Sequence, residues 1–180
     1  MNIAFVIGHH SGSKGAFSDF FLKSEFDFYI EVIKYLEHDI GKVNLFYHNP
    51  NVSSYTERIK ETANKLNKVN FDLVIELHFN AATPQANGCE TLYYFNSKKS
   101  KEFAHIFTDT VCSITGIKSR STGVKALTNK KDRGFASVYY PKAPTILIEP
   151  FFGTNRKDCA KIASCENMAF IIKDFLNQIK

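Results

Sequence analysis

The decapeptide Phe71 to Asn80, FDLVIELHFN, constrains the chain more than any other stretch. Phe71, Leu73, Ile75, Leu77 and Phe79 make one side continuously apolar, while the other carries Asp72, Val74, Glu76, His78 and Asn80. Side chains alternate across a strand, so this pattern predicts a strand covered on both faces for most of its length, as at the centre of an α/β sheet. The second face turns polar towards its C-terminal end, where Glu76, His78 and Asn80 point the same way. In open α/β sheets that end borders the ligand crevice. A single histidine in a strand is more often a hydrogen-bonded core residue than a ligand. His78 gains weight only if other ligand-type residues arrive at the same place.

The rest of the chain supplies the sheet and its helices. Asn2 to Ile7 is a short, nearly continuous apolar run ending at Gly8, which reads as a buried first strand; the glycine-rich loop IGHHSGSKGAFS follows. Ser24 is placed to cap a helix, with Asp27 three residues on, and Phe26, Tyr29, Ile30, Ile33, Leu36 and Ile40 recur at helical spacing before Gly41. Val43 to Tyr47 reads as a strand, Ser54 to Lys68 as a helix, Cys89 to Phe95 as a strand and Ser97 to Thr115 as a helix. Gly116 to Ala143 has no clear period and is expected to be irregular. Thr145 to Phe151 reads as a last buried strand, and one closing helix is expected from about Asp158. Alternating strands and helices predict a single-domain α/β fold over residues 1–180, a mostly parallel twisted sheet with helices on both faces.

Composition narrows the class. A hydrophobic fraction of 44% in 180 residues suits one globular domain and excludes a disordered chain. The net charge of +5 favours an anionic partner, such as a cell-wall polymer, a membrane surface or nucleic acid, without choosing among them. Cys89, Cys112, Cys159 and Cys165 form no CxxC pair, which argues against a cysteine zinc knuckle and suits reduced thiols of a protein made in the cytosol. No stretch approaches the ~20 apolar residues that span a bilayer, so no stable membrane insertion is expected. The run Ile3 to Ile7 lacks the basic flank and cleavage-site pattern of a secretory signal.

Ligand-type residues do converge. His9 and His10 stand just past the first strand, and Glu149 stands near the end of the last one, inside TILIEPFF, where a carboxylate is costly unless paired or metal-bound. With His78, these place His or Glu at the C-terminal ends of three strands, on one edge of a parallel sheet. Helix phase adds Glu25: it falls in the inward sector of its helix, whereas Asp27, Glu31, Lys34 and His38 lie on the opposite side. Helix N-termini in this architecture share that edge. Two imidazoles and a carboxylate with an open position are a catalytic zinc set, and a further carboxylate can serve as base. Blander readings exist for each: Glu25 as a first-turn carboxylate favoured by the helix dipole, Glu149 as a paired structural acid, His10 as the ligand or as a loop residue. His9 is favoured over His10 as the first residue after the strand-ending glycine. Glu76 is a weaker candidate, and His38, His48 and His105 read as ordinary surface or loop histidines. The loop glycines fit neither phosphate-binding spacing.

Six blocks, in order, carry a resemblance: GHHSGSKGA, SEFDFYIEVIKYL, YTERIKETAN, DLVIELHFNAA, GCETLYYF and TILIEPFFGTN. Together they resemble the zinc-dependent N-acetylmuramoyl-L-alanine amidases, the family of bacterial cell-separation amidases and many phage endolysins. The resemblance covers essentially the whole chain. It implies zinc bound by His9, Glu25 and His78, Glu149 as the catalytic carboxylate, Asn80 and His10 as supporting neighbours, and peptidoglycan as substrate rather than nucleic acid. Pro150, after the catalytic glutamate, looks like the phage-type variants. The implied reaction is hydrolysis of the bond between N-acetylmuramic acid and L-alanine. With no export signal read from the sequence, a phage endolysin released through a holin is the expected setting. The basic stretch Lys125 to Arg133 is expected to be a solvated face or an aid to reaching anionic wall polymers. A zinc carboxypeptidase on stem peptides and an inactive wall-binding module are the alternatives, and the sequence sets no oligomeric state.

Overall fold

The computed structural model describes residues 1–180 except for the side chain of Thr122. In chain order the elements are β1 (Ile3–Ile7), β2 (Phe17–Ser18), β3 (Lys23–Ser24), α1 (Glu25–Ile40), β4 (Asn44–Tyr47), α2 (Tyr55–Leu66) and β5 (Leu73–Leu77). There follow β6 (Cys89–Tyr94), α3 (Lys98–Thr115), β7 (Ser119–Leu127), α4 (Phe135–Tyr139), β8 (Thr145–Glu149), α5 (Arg156–Ile162) and α6 (Cys165–Gln178). Five helices open on a polar side chain that takes a backbone N–H of the first turn: Ser24, Ser54, Ser97, Asn155 and Ser164.

Six strands form one sheet in the order β4-β1-β5-β8-β6-β7, and β2 and β3 form a separate two-stranded ribbon. β4, β1, β5 and β8 pair in parallel, with Phe5 beside Ile75 and Ile75 beside Ile146. β6 is antiparallel to β8, which sets Glu90 beside Glu149, and β7 is parallel to β6. Four strands therefore end at one edge.

Alternation along the strands feeds both faces. Phe5, Ile7, Leu73, Ile75 and Leu77 face the larger core with α1, α3 and α6, where Phe28, Phe107 and Phe175 are fully buried. On the opposite face, Ala4, Val6 and Val74 meet Leu66 of α2, while Leu92, Leu127 and Leu147 meet Phe135 and Val138 of α4. The mostly parallel α/β sheet with helices on both faces is as expected from the sequence.

Two expectations fail. Gly116 to Ala143 is not irregular: it contains β7 and α4. β7 hid because SRSTGVKAL is an edge strand with charged and small residues, a register shift against β6, and positive φ at Ser121 and Gly123. The closing helix is two helices, broken where Ala163 adopts φ 66° and Ser164 caps the second.

Ile75 sits at the centre of this arrangement with no exposed surface. Ile75→Ala should cost about 2–5 kcal/mol, read as a lower urea midpoint at unchanged slope.

Candidate metal centre

Each residue of the site is brought to the sheet edge by a different local cause. Gly8 leaves β1 by donating its N–H to the Leu77 carbonyl at 3.0 Å. A Cβ at Gly8 would lie 2.5 Å from both that carbonyl oxygen and His78 Nε2, so glycine is what lets the two strand ends pass. His9 then takes the left-handed conformation, φ 64°, which turns its ring inward. Glu25 opens α1, its N–H bonded to the Ala16 carbonyl at 2.8 Å, and is buried. His78 follows β5 directly, and the Tyr29 hydroxyl donates to its carbonyl at 2.6 Å.

The three side chains meet. Their ligand atoms all lie within 4.8 Å of one another. His78 Nδ1 is 2.7 Å from Glu25 Oε1, which also accepts the Phe79 N–H at 3.2 Å. His9 Nε2 is 3.1 Å from Glu25 Oε2 but out of line for a hydrogen bond, so it is a buried nitrogen without a partner. Orphaned buried polar atoms are rare. A buried imidazole nitrogen facing a second imidazole and a carboxylate has the chemistry of a divalent transition-metal site, and the residues fit zinc.

Electrostatics tie the cluster together. Burial pushes the Glu25 carboxyl up, but His78 and His9 outweigh it and bring it down to about 2. Burial pushes His78 down, while Glu25 and Glu76 raise it to about 10. Glu76, buried on β5, lies 3.0 Å from His78 Nε2, so one imidazole sits between two carboxylates. Glu149, at the end of β8, is shifted upward by burial and by Glu90 and Glu25, against the pull of His78 and Arg133.

His9, Glu76, His78 and Glu149 line one cavity of about 470 Å³. Tyr55 and Arg58 of α2 form a wall, and the turn after β7 brings Lys130, Lys131 and Arg133 to the rim. Asp132 Oδ2 holds that turn by accepting the N–H groups of Thr128 and Asn129 at 3.1 and 2.9 Å. The three rim cations form no ion pair among the described residues. The basic stretch expected as a solvated face thus borders the cavity.

Other candidates land elsewhere. His10 belongs to the turn after β1: its backbone pairs with Ser13 and its Nδ1 accepts the Gly12 N–H at 3.2 Å. Asn80 donates to Glu90 at 2.8 Å and reaches no member of the cluster directly. His48, read as an ordinary surface or loop residue, is buried; its Nδ1 is 2.9 Å from Thr62 Oγ1, and its Nε2 is 3.7 Å from Glu76 Oε1. It stands at the end of β4, a fourth strand closing on the same edge, and that position was the available signal. His38 and His105 are exposed, as expected.

Comparison with known proteins bears on the fold and the family. No curated protein matches the chain. The catalytic domain of the CD27L endolysin targeting Clostridia difficile is 27% identical, with 97% of this chain and 96% of that one covered at a TM-score of 0.74. An N-acetylmuramoyl-L-alanine amidase from Clostridium difficile 630 shares 23% identity over 98% and 95% of the two chains, TM-score 0.75. The amidase AmiC2 of Nostoc punctiforme shares 21% over 98% and 96%, TM-score 0.73. The profile of the N-acetylmuramoyl-L-alanine amidases matches residues 3–180. A site of two histidines and a buried glutamate, on a fold shared with these amidases, therefore sits in a chain that belongs to the N-acetylmuramoyl-L-alanine amidase family.

Proposed function

We propose that residues 1–180 form one catalytic domain, a zinc-dependent N-acetylmuramoyl-L-alanine amidase acting on peptidoglycan, with His9, Glu25 and His78 as metal ligands and Glu149 as the catalytic carboxylate. The observation that carries the reading is the buried, unpartnered Nε2 of His9 facing Glu25 and His78. Zinc bound there supplies a Lewis acid for the scissile carbonyl and the attacking water.

The remaining work falls to the chain. Glu149 takes a proton from the attacking water and returns it to the departing alanine amine. Its raised carboxyl makes it a stronger base than an ordinary carboxylate, which suits that double transfer. His78, and after it Arg133 on the cavity rim, pull against that shift and favour the ionised form.

An endolysin role is supported by the likeness to the CD27L catalytic domain, and access to the wall through a holin is part of the same proposal. No helix among the described residues is long and apolar enough to cross a membrane.

Three outcomes are expected. His78→Ala should lose the one zinc per chain that the wild type carries, measured by elemental analysis after gel filtration; retained zinc would remove the ligand assignment. Glu149→Ala should keep its zinc yet release stem peptides with an N-terminal alanine about 10²–10⁴ times more slowly, read by mass spectrometry of digested sacculi. Trimmed stem peptides still attached to sugar would instead identify a carboxypeptidase, and an unchanged sacculus an inactive wall-binding module.

The third concerns pH in the chelated protein. His78 is raised from 6.5 to about 10, so its contribution to stability is complete below 6.5 and fades as pH rises through about 10. Glu25 is lowered from 4.5 to about 2, so its contribution is complete above 4.5 and fades as pH falls through about 2. The cluster therefore adds most between 4.5 and 6.5. Urea midpoints of metal-free protein should fall on both sides, and His78→Gln should flatten the alkaline side.

A further inference from the structure

Glu76 has no assigned part in the chemistry above, yet it is among the most constrained polar groups in the molecule. It is 4% exposed, and its Oε1 takes the Ser137 hydroxyl at 2.9 Å and faces His78 Nε2 at 3.0 Å. A carboxylate can only accept, so at this contact His78 Nε2 is the donor and keeps its hydrogen. The other nitrogen, Nδ1, is the one beside Glu25 Oε1 at 2.7 Å. Both nitrogens thus face a carboxylate, and what separates them is the partner: Glu25 belongs to the cluster with His9, whereas Glu76 stands outside it.

Glu76 is itself held from the opposite face of the sheet. Ser137 belongs to α4. His48 approaches from the end of β4, and its hydrogen inventory can be worked out. The Thr62 hydroxyl donates its one hydrogen to the Arg58 carbonyl at 3.2 Å, so toward His48 Nδ1, at 2.9 Å, it can only accept. His48 thus donates from Nδ1 and turns a buried Nε2 towards Glu76 Oε1, 3.7 Å away and without a hydrogen bond. Glu76 is held by α4 through Ser137 and faced by His48 at the end of β4, with His78 as its target.

We propose that Glu76 is a positioning residue for the metal centre: it keeps the hydrogen of His78 on Nε2 and so makes Nδ1 the ligating atom. This rests on the zinc reading and adds to it which nitrogen binds and what sets that choice. A carboxylate behind a ligating histidine fixes ring orientation and raises ligand basicity, and its loss typically weakens metal binding 10–100-fold. Glu76→Gln preserves volume, but its amide can turn to donate to Nε2 as readily as it accepts from it, so the choice of nitrogen is released.

The first test needs no variant. Wild-type protein carrying isotope-labelled histidine and loaded with an NMR-active cadmium isotope should show metal–nitrogen coupling at His78 Nδ1, with Nε2 protonated. Coupling at Nε2 overturns the proposal. In the second test, folded Glu76→Gln should bind zinc about 10–100-fold more weakly in chelator competition; an unchanged Kd overturns the proposal. A merely structural role would lower the stability of metal-free Glu76→Gln and leave its Kd for zinc unaltered. Failure of wild type to bind zinc, or zinc retained by His78→Ala, would defeat the metal assignment itself; those outcomes differ from an unchanged Kd in Glu76→Gln alone.

Discussion

Glu25 and Glu76 place carboxylates against the two nitrogens of one half-buried imidazole, at 2.7 and 3.0 Å. Removing charges from water costs several kcal/mol per ion, and attraction repays that only where the remaining polar atoms are also satisfied. Most are here: Glu25 takes the Phe79 N–H, and Glu76 takes the Ser137 hydroxyl. Two imidazole nitrogens are left over, Nε2 of His9 and Nε2 of His48, and the first faces both Glu25 and His78. Under the metal reading proposed above, a divalent cation would supply the partner that His9 Nε2 lacks.

The sheet explains why such distant residues can meet. Parallel strands β1, β5 and β8 deliver His9, His78 and Glu149 to one edge, and α1 delivers Glu25 by starting where the ribbon β2–β3 ends. β6 runs the other way, so it sets Glu90 beside Glu149 rather than an apolar strand end. That pairing of acids helps push the Glu149 carboxyl upward. Acidic floor and basic rim share one cavity, and among the described residues Lys130, Lys131 and Arg133 form no ion pair.

Much of this was legible in the residues. Alternation in FDLVIELHFN located the central strand, and helix phase separated Glu25 from Asp27 and Glu31 without reference to any structure. These signals are periodic, and periodicity survives in one dimension. β7 was not legible, because an edge strand with one covered face and two positive-φ residues lacks the alternation that marks a central one. The setting of His48 was hidden for another reason. Thr62 and Glu76 come from α2 and β5, and nothing in the spacing shows that these elements close around it. Glu76 shared a face with His78 in the sequence, but its partner Ser137 lies 61 residues away on a helix that was not foreseen.

The glycine at position 8 has a consequence for how the sheet can assemble. Ile7 stands beside Leu77, which brings Gly8 level with His78. Sliding β1 by one residue in either direction would bring Ile7 or His9 to the position where any Cβ would clash with His78 and the Leu77 carbonyl. Hydrophobic alternation alone discourages such slips, because it turns apolar side chains to the wrong face. Here a steric pin adds to it, so the centre that would hold the ion also works as the index mark by which two neighbouring strands find their alignment.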